Sequence, residues 1–434
     1  MSKQKSGILS WYFKSNLAYR ILGALIIGSI IGMVLPKNPT LISIIQPFGD
    51  LFVRLLKMII VPIIAASLIV GTSSIEPSKL GRVGGKAVFY YAITTLIAII
   101  LGLMCAFIFK PGAGLDLSDS SIAVSKTSNA PSLSEIVLNI VPTNPISAMA
   151  NTQVLAIICF FIFFGVALAF CRENKDERIK EAANVVYKFF DGVSEVMFKV
   201  VHWIMQYAPI GVFALMFVVF NKSGASAFSS LANVTFTVYL GLVLQIILVY
   251  CGTCLFIGLS PKSFLQKVKD PMLTAFVTRS SNATLPISMD TAENKMGVPK
   301  GIYSFVLPVG ATVNMNGTTV YLGVCAIFIA NACGLDLNLG HYMTIILTSM
   351  LAAVGTAGIP GAGAMMLLLV LEAIGLPVEG NVAIAYGMIL GIDAILDMGR
   401  TSMNVTGDVA ASIWVAKTEG ELDTDKWDRA SKNL

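Results

Sequence analysis

The chain has 434 residues, of which 56% are hydrophobic and only 13% charged, with a net charge of +5 and a mean hydropathy of +0.78. A soluble domain carries about 25% charged residues, so this composition excludes an ordinary soluble enzyme and marks a polytopic membrane protein. The basic excess forms no aromatic-interleaved patch, which leaves a nucleic-acid interface without support, and two histidines, His202 and His341, leave little basis for a histidine metal site.

The first half reads as six spanning helices ending near Leu259, since apolar runs of about 20 residues suffice to cross a bilayer. The first run, Ile21–Leu35, is too long for a signal core and lacks a small-residue cleavage site, so it reads as a retained helix. The second, from about Ile45 to Gly71, carries Arg54 and Lys57 one turn apart, read as snorkelling to an interface. Ala87–Phe109, Val154–Phe170 and Tyr239–Leu259 continue the series. Basic residues gather in alternate connections, as cytoplasmic loops do. They are Lys3, Lys5, Lys14 and Arg20; Lys79, Arg82 and Lys86; Arg172, Lys175, Arg178 and Lys180; and Lys262, Lys267 and Lys269. The intervening Gly112–Ser134, with Asp116 and Asp119, reads as an external loop, so both termini are expected in the cytoplasm. All seven cysteines lie in or beside apolar segments. The spacing of Cys251 and Cys254 in CGTC matches a redox motif but lacks its soluble βαβ setting.

The second half contains two apolar segments interrupted by small polar residues: FVTRSSNATLPISM at 276–289 and AAVGTAGIPGAGAMM at 352–366. The arms on either side are too short to cross a bilayer of about 30 Å at 1.5 Å per residue. Each unit therefore reads as a helical hairpin that enters the membrane and turns back. A spanning helix follows each, Ile302–Leu335 with a break and then Val382–Ala416. The odd number of crossings between the hairpins makes the two hairpin–helix units inverted repeats. Paired interruptions in corresponding halves point to a transporter binding site. The break at LPVGATVNMNGTT, 307–319, is weakened by Gly310 and Gly317 and supplied with oxygens by Asn314, Asn316 and Thr318. Carbonyls exposed there suit a hard cation such as sodium.

The last spanning helix contains GIDAILDMGRTSMNVTGD, 391–408. At 100° per residue, Asp393, Asp397, Arg400, Asn404 and Asp408 share a sector of about 80°. Each ionisable group costs about 2.5–3.5 kcal/mol at a membrane helix centre, so four unpaired ones would cost on the order of 10 kcal/mol. They must face an interior or watery site. Asp397 and Arg400, at i and i+3, could neutralise one another, a structural reading that leaves Asp393 and Asp408 unexplained; in a substrate-binding reading those two could serve cations or structural pairs. Intramembrane proteolysis would need two facing carboxylates, normally from different helices, whereas these share one helix with an arginine between. A channel is disfavoured by broken hairpins with few symmetric charge rings. What remains is a zwitterion with an extra acid: an arginine fork for a carboxylate and an aspartate for an ammonium.

RSSNATLP, NMNGTT, GTAGIPGAGA and DMGRTSMNVTGD, in that order, resemble the dicarboxylate/amino acid:cation symporter family, in its prokaryotic sodium-coupled glutamate/aspartate type. The resemblance covers nearly the whole chain. It implies an all-α polytopic fold of eight transmembrane helices plus two re-entrant hairpins, assembled as a homotrimer in the cell's inner membrane. In this scheme 1–78 (helices 1–2) and 141–222 (helices 4–5) form a scaffold. Residues 79–140 (helix 3 and the external loop), 223–259 (helix 6) and 260–420 (hairpin 1, helix 7, hairpin 2, helix 8) form the moving transport side, and 421–434 a cytoplasmic tail. The implied activity is uptake of aspartate or glutamate with co-transported sodium by an elevator movement, with proton coupling or a plain dicarboxylate substrate as the alternative.

The same resemblance assigns roles. Arg400 takes the substrate's side-chain carboxylate, helped by Thr318; Asp397 and Thr401 take the amino group; Asn404 takes the α-carboxylate. The tips around Ser280 and Ser281 and around Ile359 and Gly363 close over it, with Arg279 supporting by pairing near Asp397. One sodium uses Gly310, Asn314, Asn404 and Asp408; a second uses carbonyls at Thr312, Ala353, Val354 and Thr356; Met315 sits between ions and substrate. A further cation site, with residues matching Tyr91, Thr94, Thr95 and Asn314, normally includes aspartate where this chain has Asn316, so the number of coupled cations is open. Leu322 stands where potassium-countertransporting relatives carry glutamate, which argues against potassium exchange.

Overall fold

The computed structural model describes residues 17–73, 80–115, 117, 138, 141–151, 153–224, 226–354, 356 and 358–432. Lys3, Lys5, Lys14, Lys79, Asp116, Asp119 and most of the expected external loop lie outside them. The described residues form helices and connecting turns, with no strand among them.

The first half holds α1 (Leu17–Val34), α2 (Pro39–Ser73), α3 (Gly85–Phe109), the short α4 (Pro145–Ala150), α5 (Val154–Arg172), α6 (Glu177–Ser223) and α7 (Ser226–Leu244). α7 runs on through a π-helical turn, Gln245–Tyr250, into Cys251–Phe256. The second half holds the first hairpin, α8 (Pro261–Thr278) and α9 (Ser281–Asp290), then α10 (Lys300–Val313) and α11 (Asn316–Ala332). The second hairpin follows, α12 (Leu339–Val354) and α13 (Ala362–Ala373), then α14 (Gly380–Glu419) and α15 (Thr424–Lys432). Six units are long and apolar enough to span a membrane: α2, α3, α6, α7, α10 with α11, and α14. With the shorter apolar α1 and α5 they make eight; of the hairpin arms, α9, α12 and α13 have 10, 16 and 12 residues, and α8, as long as α1 at 18 residues, carries Lys262, Lys267, Lys269 and Asp270.

Burial separates the helices by role. In their most apolar windows α10–α11 is 94% buried and α14 89%, against 44% for α3 and for α7. Helices that carry Asn and Asp are thus wrapped by protein, as the cost of a polar group in hydrocarbon demands. α6 lies along α1 and α2, and α5 packs on α2 and α6. α3, α7 and α8 surround α11 and α14. Gly420, left-handed at φ 76°, ends α14, and its N–H returns to the last turn.

The Lys57 ammonium lies 3.4 Å from Glu372 and 3.6 Å from Glu379, at the two ends of the α13–α14 connection, so the side chain read as snorkelling ends on two carboxylates. The acids are more than 300 positions away, so the partnership has no local signal. Arg54 is exposed, as an interfacial side chain would be.

Candidate substrate-binding site

Three helix breaks converge on α14. α8 gives way to α9 at Arg279–Ser280, α10 to α11 at Asn314–Met315, and α12 to α13 across 355–361. Each break contributes the N-terminus of one helix and the C-terminus of another. The first presents N–H groups that favour anions, the second carbonyls that favour cations.

The hairpin tips touch each other. Ser280 caps α9 by accepting the Ala283 N–H at 3.2 Å, and its hydroxyl donates to the Gly358 carbonyl at 2.7 Å. The Asn282 N–H reaches the same carbonyl at 3.3 Å. Arg279 sits left-handed at φ 55°, one of two described non-glycine residues with positive φ, the kind of strain that concentrates at functional sites. At the other tip Gly361 (φ 82°) donates its N–H to Asp397 Oδ2 at 3.0 Å, which anchors the start of α13 on α14.

Arg400 is the centre of the site. It is 2% exposed. Nε donates to Asp397 Oδ1 and Nη1 to Asp393 Oδ1, each at 3.0 Å. The guanidinium lies over the Tyr321 ring at 4.5 Å, and Nη2 is buried with no hydrogen-bond partner. A Cβ on Gly363 would sit 2.6 Å from the guanidinium carbon, so only glycine lets α13 come this close. The Thr401 hydroxyl also donates to Asp397 Oδ1, at 3.1 Å. Asn404 Oδ1 accepts the Gly317 N–H at 2.7 Å, while its Nδ2 donates to Met315 Sδ at 3.1 Å and Thr318 Oγ1 at 3.3 Å.

Below this layer Asn314 Nδ2 donates to Asp408 Oδ1 at 2.8 Å and to the Asn404 carbonyl at 3.2 Å, and Asn314 Oδ1 is left without a partner. Gly310 abuts both the Asp408 carboxylate and the Tyr91 hydroxyl, because a Cβ there would lie 2.5 Å from Asp408 Oδ1 and 2.7 Å from the Tyr91 oxygen. Thr356 closes a turn on the Ala353 carbonyl, while Thr312 donates its hydroxyl to Val309 in its own helix. The Val354 carbonyl faces Gly71 of α2.

Arg279, Ser281, Met315, Thr318, Thr356, Ile359, Gly363, Asp397, Arg400, Thr401 and Asn404 thus line one pocket. It encloses about 10 Å³, room for one water. Arg279 shares this pocket with Asp397 but forms no ion pair with it. Beyond the tips lies a cavity of about 340 Å³ bounded by α1, α2 and α6, with Phe52, His202 and Met205 on one side and Arg279, Ile359 and Asp393 on the other. Ser280, Gly310, Asn314 and Asp408 sit directly beside the small pocket; Thr94, Thr95 and Asn316 form a separate polar cluster, which the Tyr91 side chain does not join, since its hydroxyl donates to the Val306 carbonyl at 2.8 Å beside Gly310 and Asp408.

Sequence reasoning left the roles of Tyr321, Gly361 and Tyr250 unread. Asp393 was placed on the right face without a partner; its spacing to Arg400, two turns along one helix, is the signal that pairs them. The other three depend on contacts between distant segments.

The whole arrangement has relatives. Residues 17–418 match the sodium:dicarboxylate symporter family. This chain belongs to that family. It is 38% identical over 421 residues to the proton/sodium-glutamate symport protein of Bacillus subtilis, an overlap covering 95% of each. It is 36% identical to the proton/glutamate-aspartate symporter of Escherichia coli and 35% to the C4-dicarboxylate transport protein of Bacillus subtilis, each again over 95% of both chains. A member of the sodium:dicarboxylate symporter family is a multi-pass membrane carrier and not an enzyme. The geometry agrees: Asp393 and Asp397 are held by one guanidinium between them, not poised as a proton-sharing pair.

Proposed function

We infer that this carrier takes up acidic amino acids, aspartate or glutamate, across the cytoplasmic membrane, driven by sodium. The observation that carries this reading is the buried Arg400 fork. Two of its nitrogens are held by Asp397 and Asp393, and the third, Nη2, is unpaired in a pocket roofed by both hairpin tips. A buried donor without a partner costs about 1–3 kcal/mol, more for a charged group, and a substrate carboxylate removes that cost. Asp397 already accepts three hydrogen bonds, from Arg400, Thr401 and Gly361. A carboxylate has about four lone-pair sites, so one remains for a substrate ammonium. The helix starts at Ser281 and Ala362 and the Asn404 amide suit the α-carboxylate.

Turnover follows from these contacts. The tips part, breaking Ser280–Gly358 and Gly361–Asp397, and close again over substrate and cations. Ions at the Asn314–Asp408 group and at the ends of α10 and α12 offset the buried carboxylates and favour reclosure, which makes uptake depend on sodium. The group α3 and α7–α14 then moves as one body against α1, α2, α5 and α6, which form the fixed face and the contacts of a homotrimer. The 340 Å³ cavity between the two groups supports this division. The basic connections support an orientation with both termini in the cytoplasm.

A C4-dicarboxylate substrate is the second reading, favoured by the 35% identical carrier of that name. It would leave the last site on Asp397 unused. Purified protein in liposomes with an inward sodium gradient decides between them: labelled aspartate or glutamate accumulates, and excess unlabelled glutamate competes far better than succinate or malate. Equal uptake with choline in place of sodium would transfer the coupling to protons, and stronger competition by succinate would transfer the substrate to dicarboxylates.

A further inference from the structure

The cluster where α3, α7 and α11 meet is not used by this mechanism. Asn316 is fully buried there. Its Oδ1 accepts the Thr95 hydroxyl at 2.7 Å, and its Nδ2 donates to Thr94 Oγ1 at 3.1 Å and to the Tyr250 hydroxyl oxygen at 2.9 Å.

The neighbours determine which way the amide points. The Thr94 hydroxyl proton goes to the Tyr90 carbonyl at 2.9 Å, so toward Asn316 its oxygen can only accept. The Tyr250 proton goes to the Met403 carbonyl at 3.3 Å, with the same result. Two oxygens without available protons face one point, and the amide nitrogen fills it with two N–H groups. A carboxylate at 316 would replace this nitrogen by a third acceptor oxygen. The junction would then hold three converging oxygens and a negative charge, which only a cation could satisfy in so buried a place. Tyr250 reaches this point because the π-helical turn Gln245–Tyr250 rotates it inward, and Gln245 Nε2 braces the same corner by donating to the Thr94 carbonyl at 3.1 Å.

Charge balance agrees. Asp393, Asp397 and Asp408 bring three negative charges to the site, and Arg400 and Arg279 bring two positive ones. An acidic amino acid adds one more negative charge, so the loaded site is neutral with two monovalent cations. A carboxylate at 316 would call for a third.

We propose that Asn316 is a built-in replacement for a coupled cation: its amide N–H groups close the α3–α7–α11 junction, and the carrier moves two sodium ions with each acidic substrate. This rests on the sodium-symport reading above. The two ions use the Asn314–Asp408 group and the ends of α10 and α12.

The test is a zero-flux measurement in liposomes with the membrane potential clamped at zero. Vesicles contain tenfold more labelled aspartate than the bath, and the sodium gradient that stops net flux is found. With two ions a roughly threefold inward sodium gradient balances the substrate, and with three a gradient of about 2.2-fold, because each ion enters the mass-action ratio once. Wild type is expected to balance near threefold and Asn316→Asp near 2.2-fold. Wild type balancing at 2.2-fold, or at tenfold as for one ion, overturns the proposal, as does an Asn316→Asp carrier that still balances at threefold. If Asn316→Asp does not fold, the wild-type balance point decides alone. If wild type shows no sodium-driven flux against choline, the sodium-coupled reading fails instead, which is a separate and visible outcome.

Discussion

Replacing Arg400 with lysine separates charge from geometry at the centre of the site. A guanidinium carries five N–H donors and an ammonium three. Here Nε is engaged with Asp397 and one N–H of Nη1 with Asp393, both at 3.0 Å, which leaves Nη2 free for a substrate carboxylate. Lysine at this position keeps the positive charge that the two carboxylates need, so the fold survives. After serving both aspartates, however, it has one donor left where the fork had two or more. The substrate then loses one charge-assisted hydrogen bond, about 1.5–3 kcal/mol, or about 10- to 150-fold in affinity. The assay is sodium-driven uptake of labelled aspartate over a concentration series, with thermal melting in detergent as the control for folding. Arg400→Lys should raise the half-saturating concentration by that factor while melting stays within a few degrees of wild type. A variant that melts like wild type and takes up aspartate with unchanged affinity would show that Nη2 is not the carboxylate anchor.

Four further outcomes are expected. Gly363→Ala puts a methyl group 2.6 Å from the Arg400 guanidinium carbon, so uptake should fall at least tenfold in a carrier that still purifies and melts normally; full activity would mean that α13 can retreat without consequence. Asp408→Asn removes a buried charge whose hydrogen-bond donor is Asn314, and the sodium dependence of substrate binding should drop by one ion in its Hill slope. Trp427→Ala removes a ring 3.6 Å from the buried Lys267 ammonium and the packing beneath the first hairpin; by the general cost of deleting a buried tryptophan, about 3–5 kcal/mol, melting should fall by several degrees while substrate preference is unchanged. Lys57→Met breaks two partly exposed ion pairs worth about 0–1 kcal/mol, so its melting should be indistinguishable from wild type.

What could be read from the chain alone follows the range of the physics. The hairpins were legible because an apolar segment interrupted by Ser, Gly and Pro has few other solutions in a membrane. The charged face of α14 was legible because helical period is local, and it put Asp393, Asp397, Arg400, Asn404 and Asp408 on one side before any contact was known. The partners were legible only where they lay on the same helix. The Gly361 N–H on Asp397, the Tyr321 ring beneath Arg400 and the pairing of Lys57 with Glu372 and Glu379 each join segments more than 30 residues apart. Nothing in the local sequence selects those pairings over others.

Asn316 marks the boundary between the two kinds of knowledge. The family resemblance implies a lost charge, since it calls for a carboxylate where this amide stands. Whether the lost charge leaves a gap or a closed junction depends on protons two helices away. Had the Thr94 and Tyr250 hydroxyls pointed inward, the amide nitrogen would face two donors and the oxygen would turn toward them, leaving its N–H groups unpaired. Because both protons are drawn off to the Tyr90 and Met403 carbonyls, the donor side of the amide is the one that fits. The π-helical turn that carries Tyr250 is therefore as much a part of this closed junction as Asn316. Tyr250→Phe, which keeps the ring and removes the acceptor, should leave one amide N–H unsatisfied and destabilise the carrier by about 1–3 kcal/mol. In the Asn316→Asp background the same change removes one oxygen from the new cation's shell and should weaken its binding. A balance point that stays near 2.2-fold at low sodium in that double variant would place the extra ion somewhere other than this junction.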